Sequence, residues 1–275
     1  MGTGAAEIRV FPDPPALSGF AADLFSKIAR DSVAQRGRFL TVLSGGGTPL
    51  ALYRLLALPP FRDDLPWEQM HFFWGDERCV PPEDPGSNYR QAYEPLLLKV
   101  PVPTQNIHRA RGELSPASAA EDYARQLREF AAPRLDYPRF DLVLLGLGAD
   151  GHTASLFPQL SPHLSPQMYA FGGRQEGGGG QESAPVLAVT ADYQGRPANR
   201  VTLTPPVFNA ARDVLFLVTG EEKAAALAAT VQGPRDPLKY PAQRIQPAQG
   251  KVWWLVDEQA AHLLPEQMEE IRIQR

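Results

Sequence analysis

Between residues 140 and 158 the chain reads FDLVLLGLGADGHTASLFP. Leu142, Val143, Leu144 and Leu145 form a short unbroken apolar run, the pattern of a strand buried on both faces of a parallel sheet. Gly146, Gly148 and Gly151 then free the backbone for a sharp turn. The turn carries Asp150 and His152, two groups able to move or orient a proton, just beyond the strand's carboxyl end, where open α/β sheets bind their ligands. Chemistry is expected there.

The same pattern extends in both directions. Residues 7–11 are expected as a first strand, followed by an amphipathic helix with Leu24, Phe25, Ile28 and Ala29 at helical spacing. Residues 38–43 form the next strand, and a glycine turn leads into a helix beginning near Pro49. Residues 70–74 read as a buried strand, with Asp76, Glu77 and Arg78 in a charged turn behind it. Ser87 or Asn88 caps a helix shortened by Pro95, and Ser115 with Pro116 opens another through about Phe130. Strands at 186–190, 201–204, 214–218 and 252–256 alternate with helices at 205–211, after Glu221, and at 258–264. This alternation, without a repeat of fixed period, specifies the α/β class: a mostly parallel sheet with helices on both faces. The polar glycine-rich stretch 172–183 is expected as a mobile insertion within a single domain spanning 1–275.

Composition narrows the functional classes. A formal net charge of -4 over 275 residues argues against a broad footprint on nucleic acid or an acidic membrane. The single cysteine, Cys79, excludes an internal disulfide and a cysteine-based zinc cluster, and is expected as a small buried residue in a reducing compartment. The opening MGTGAAEIRV has neither the basic nor the apolar block of a secretory signal. No uninterrupted apolar run approaches the ~18 residues of a membrane span. The expectation is a cytoplasmic protein without nucleic-acid or membrane partners, either a monomer or a small homo-oligomer.

Three motifs carry candidate chemistry. Ser44, Gly45, Gly46, Gly47 and Thr48, followed by Pro49, present backbone N–H groups and two hydroxyls at a helix start, which is either a tight turn or an anion site. The motif lacks the lysine of a nucleotide P-loop, so a small-molecule phosphate is favoured over a nucleotide. In WGDER, Arg78 is suited to pairing with a phosphate and Asp76 to orienting a water, a hydroxyl or a histidine, unless the cluster is simply a solvated turn. His152 is suited to taking a proton from water near neutral pH. HExxH is absent and the other histidines show no ligand spacing with His152, so no metal is expected. Arg200 and Lys223 complete the inventory, but spacing alone does not choose them over Arg196 or Arg235.

Taken together, SGGGTP, WGDERCVPPEDPGSNYR, FDLVLLGLGADGHTASLFP and NRVTLTPPVFNAARDVLFLVTGEEKAAAL resemble the 6-phosphogluconolactonase family, in the family's order. The resemblance implies a modified Rossmann-like fold shared with glucosamine-6-phosphate isomerase/deaminase. It also implies hydrolysis of a phosphosugar lactone, 6-phosphoglucono-δ-lactone, in the oxidative pentose phosphate pathway without metal or cofactor. By that resemblance Ser44 to Thr48, Arg78, Arg200 and Lys223 hold phosphate and sugar, His152 is the general base, and Asp76 or Asp150 orients it. The isomerase/deaminase branch carries a glutamate where this chain has Phe157, which favours hydrolysis over an aldose–ketose proton shuttle. A non-catalytic phosphosugar-binding module would keep SGGGTP and Arg78 but have no use for His152.

Overall fold

The computed structural model describes residues 6–158 and 184–265; the expected insertion at 172–183 lies outside the described residues. The strands, in chain order, are β1 (Ala6–Phe11), β2 (Phe39–Leu43), β3 (Met70–Trp74), β4 (Asp76–Arg78), β5 (Leu142–Leu145), β6 (Val186–Thr190), β7 (Asn199–Leu203), β8 (Asp213–Val218) and β9 (Lys251–Asp257). The helices are α1 (Pro14–Arg36), α2 (Gly47–Leu56), α3 (Phe61–Asp64), α4 (Asn88–Tyr93), α5 (Pro116–Arg128), α6 (Pro205–Asn209), α7 (Ala224–Val231) and α8 (Glu258–Ala261). Local chemistry accounts for several ends. Asp13 caps α1 by accepting from Ala16 N–H at 2.8 Å, and Gly37 closes it in the left-handed region at φ 74. Ser87, not Asn88, caps α4.

Six strands form one sheet in the order β1-β9-β8-β5-β2-β3, every neighbouring pair parallel. Its side chains alternate between two cores, as the period-two pleat requires. Val143, Leu145, Val214 and Phe216 enter one core with Tyr123 and Leu127 of α5 and Leu227 of α7. Leu142, Leu144, Leu215 and Leu217 enter the other with Phe25 of α1 and Leu52 of α2. Helices therefore flank both faces of an α/β sheet. Among the described residues, no helix is long and apolar enough to cross a membrane.

One part departs from the expected plan. β4, β7 and β6 form a separate three-stranded antiparallel sheet, so the charged segment after β3 is a strand and not a solvated turn. Its three side chains, Asp76, Glu77 and Arg78, are all buried. Buried charge is rare in strands, and apolar periodicity does not say which sheet a strand joins; both facts conceal this arrangement from a pattern reading.

The topology also fixes where a ligand can enter. From β2 the chain crosses to β3 on one side, whereas β5 is followed in the sheet by β8 on the other. Connections leaving in opposite directions open a crevice at the strands' carboxyl ends, the usual ligand position in open α/β sheets.

Candidate active site

The first wall of that crevice is the turn after β2. Tyr53 of α2 donates its hydroxyl to Ser44 O at 2.7 Å and accepts from Ser44 N–H at 3.0 Å, fixing the start of the turn. Gly46, at φ 107, donates its N–H to Gln91 Oε1 at 2.9 Å. Two N–H groups of the expected anion cradle are thus already engaged, and an anion would be met by those of Gly45, Gly47 and Thr48. The Thr48 hydroxyl bonds that of Thr219 at 2.9 Å, tying the turn to the end of β8. A Cβ on Gly45 would lie 1.8 Å from Asn88 Oδ1, so a side chain there would push Asn88 out of place.

The second wall is cationic. Register sets Arg78 of β4 directly opposite Arg200 of β7, with exposures of only 6% and 2%. Like charges directly opposed in an antiparallel pair destabilise it unless something else compensates. Their bonds go to main-chain carbonyls, Arg78 Nη1 to Gly86 O at 2.7 Å and Arg200 Nε to Pro197 O at 3.0 Å. Among the described residues, Arg78 Nε and Arg200 Nη2 are buried without a hydrogen-bond partner. Burial lowers the Arg200 guanidinium's pKa; Asp76 opposes that shift, while Arg78 and Arg196 reinforce it. This is a pocket short of negative charge.

Glu77, between Asp76 and Arg78, does not supply that charge. It accepts from the N–H groups of Arg78, Asn88 and Tyr89, each at 2.7 Å, and from the Ser87 hydroxyl at 3.0 Å, stapling the loop before α4. Burial pushes its carboxyl up to about 7 against the pull of these four donors.

The third wall is the turn after β5. Asp150 Oδ1 lies 2.6 Å from His152 Nδ1 and also accepts from His152 N–H at 3.1 Å. Burial alone would raise the Asp150 carboxyl, but the His152 hydrogen bond and charge bring it below its ordinary range. A Cβ on Gly148 would come within 2.0 Å of His152 Nδ1 and 2.6 Å of Asp150 Oδ1, so any other residue there would have to displace the pair from this arrangement. Asp76, the other expected partner of His152, is bonded elsewhere: it accepts from Ser155 Oγ at 2.6 Å and from Asn88 Nδ2 at 3.1 Å. Phe157 stacks on the imidazole, ring centroids 4.6 Å apart.

These walls enclose a cleft of about 160 Å³ whose lining includes Ser44 to Thr48, Asp76, Arg78, His152, Arg200 and Lys223. Asp150 reaches it through His152. Of the basic positions that spacing left open, Arg196, Arg200 and Lys223 line it. Asn88, Tyr193, Gln194 and Thr219 line it too and were not among the expected site residues. Only the Gln194-Gly195 dipeptide left a local signal, that of a tight hairpin turn. Cys79 is half-buried, and burial pushes its thiol up to about 11, an inert setting.

Comparison with known proteins agrees with this architecture. A family model described as glucosamine-6-phosphate isomerases/6-phosphogluconolactonase matches residues 12–254. The chain is 42% identical to a 6-phosphogluconolactonase of Synechocystis sp. over 235 residues, covering 85% of this chain and 88% of that one. It is 38% identical to a 6-phosphogluconolactonase of Nostoc sp. over 256 residues, covering 92% and 96%. The solved structure of 6-phosphogluconolactonase from Trypanosoma brucei superposes with a TM-score of 0.79 at 28% identity, covering 96% of this chain and all of that one.

Proposed function

Because the chain belongs to the glucosamine-6-phosphate isomerase/6-phosphogluconolactonase family, we propose that it hydrolyses 6-phosphoglucono-δ-lactone to 6-phosphogluconate, with His152 as general base. One observation carries this reading: two opposed, buried arginines short of negative charge share a cleft with a histidine backed by a carboxylate. The arginines suit a phosphate, and the histidine suits a water beside the lactone carbonyl.

The reaction follows from these groups. Asp150 accepts from Nδ1–H and so holds the tautomer in which Nε2 is the basic nitrogen. Nε2 takes a proton from water as its oxygen attacks the lactone carbonyl carbon. The tetrahedral oxyanion then collapses, breaking the bond to the ring oxygen, and the imidazolium returns its proton to that oxygen. A lactone is an activated ester, so positioning and base catalysis supply much of the acceleration. Arg78 and Arg200 hold the phosphate, with Arg196, Lys223 and the N–H groups of the 44–48 turn around the remaining polar groups. Phe157 favours hydrolysis over isomerisation, since an aromatic ring stands against the base where the isomerase/deaminase branch would need a second acid. We take residues 1–275 as one α/β domain acting in the cytoplasmic oxidative pentose phosphate pathway.

His152→Ala is expected to lower kcat by ~100-fold or more while inorganic phosphate still competes at its original Ki. An unchanged kcat would remove the base assignment. Loss of phosphate competition with kcat intact would make His152 a binding residue.

A further inference from the structure

We infer that Tyr193 is a positioning residue for the His152 imidazole, an inference that rests on His152 being the base. Tyr193 lies outside the histidine turn, at the tip of the hairpin joining β6 to β7. Gln194 and Gly195 both have positive φ, 53 and 64, and Arg196 N–H donates to Tyr193 O at 3.1 Å. This is a primed turn, whose twist matches that of the flanking strands, and it delivers the phenol ring into the cleft.

There the ring meets the base. The Tyr193 and His152 centroids are 4.7 Å apart with planes at 74°, an edge-on contact, while Phe157 lies more nearly face-on to the same imidazole at 29°. Tyr193 and Phe157 also touch each other, at 5.5 Å, so the two aromatics form one frame. Asp150 holds the imidazole side chain by a single ring atom, Nδ1. That carboxylate is itself partly exposed, so the bond alone lets Asp150 and the ring swing together about the Cβ–Cγ bond, a motion that moves Nε2 away from the attacking water. Contacts from two directions remove that freedom, which is the kind of ordering on which near-attack geometry depends. Burial and the nearby Asp150 carboxylate both raise the Tyr193 phenol, in keeping with its place against the Asp150–His152 pair.

Tyr193 is the informative member of the frame to alter. Phe157 is 4% exposed, belongs to the core and also carries the Arg200 guanidinium carbon 5.1 Å from its ring centroid, so its replacement would disturb packing and phosphate binding together. Tyr193 is only partly buried.

The test compares Tyr193→Leu, Tyr193→Phe and His152→Ala with the unaltered full-length enzyme on 6-phosphoglucono-δ-lactone, folding being checked by circular dichroism. Tyr193→Leu is expected to lower kcat by ~10- to 100-fold with KM within about threefold, and Tyr193→Phe to restore kcat to within about threefold of the unaltered enzyme. Tyr193→Met serves as a second truncation should the leucine variant fold poorly. An unchanged kcat in the truncations, a loss confined to KM, or a phenylalanine variant as slow as the leucine one would overturn the inference. Full activity in His152→Ala would overturn it together with the base assignment, whereas a crippled His152→Ala beside an unaffected Tyr193→Leu would overturn the positioning role alone.

Discussion

Arg36 and Arg212 lie at the amino end of the parallel sheet, Arg78 and Arg200 at its carboxyl end, and the two pairs are completed differently. Asp141 Oδ1 lies 2.9 Å from Arg36 Nε and 3.2 Å from Arg212 Nε, while Oδ2 accepts from Leu40 N–H at 2.9 Å. That carboxylate ties α1, β2 and the start of β8 together within the chain. Arg78 and Arg200 are more deeply buried, yet among the described residues their hydrogen bonds go to main-chain carbonyls and neither forms an ion pair with a carboxylate. A charge cluster neutralised internally is a structural joint; one that is buried and incomplete is suited to an anion from outside. The histidines divide the same way. His152 has a carboxylate and faces the cleft, whereas His71 and His108 contact each other at 3.2 Å among Phe73 and Phe130.

Substitutions at the two ends should therefore separate catalysis from stability. The largest effect is expected from Gly148→Ala: its Cβ would displace the Asp150–His152 pair, lowering kcat by ~100-fold or more in steady-state assays. A normal kcat would show that the pair tolerates the displacement. Next, Arg78→Ala should raise KM by ~10- to 100-fold, as loss of a charge-assisted bond to phosphate predicts, and an unchanged KM would take Arg78 out of the clamp. At the opposite end, Asp141→Ala should cost roughly 1–3 kcal/mol in denaturant unfolding and leave KM alone. The loss falls below that of a fully buried pair because both arginines are partly solvated. A changed KM there would blur the distinction between the two ends.

The smallest effect concerns pH. Burial lowers both His71 and His108, the latter from its ordinary 6.5 to about 4. Between those values the unfolded chain binds more protons than the folded one, so this contribution to stability is present above about 6.5 and is lost as pH falls towards about 4. Tm should fall across that window, and less steeply in His108→Leu; an identical slope would mean that other groups control the acid limb.

The parts of this molecule that local sequence determines were legible. β5 is an apolar run ended by glycines, Ser115 with Pro116 does mark the start of α5, and Asp150 lies within two residues of the histidine it contacts. What escaped depends on pairing distant segments. β4 reads as a turn because its three charges look solvated, and only its register against β7 buries them. In sequence Asp76 and Asp150 are equally suited to partner His152; the bonds of Asp76 to Ser155 and Asn88 depend on segments far apart in the chain. Tyr193 carried no motif, since its place beside His152 comes from a hairpin packed across the sheet's end.

Freshly prepared 6-phosphoglucono-δ-lactone and its unphosphorylated counterpart, assayed for acid release by the same enzyme, bear on the clamp and the base together. The phosphorylated lactone should be hydrolysed far above its spontaneous rate, with kcat/KM at least ~100-fold higher than for the unphosphorylated one, since the arginine clamp then contributes two charge-assisted contacts. Equal kcat/KM for the two lactones, or no acceleration at micromolar enzyme, would contradict the account.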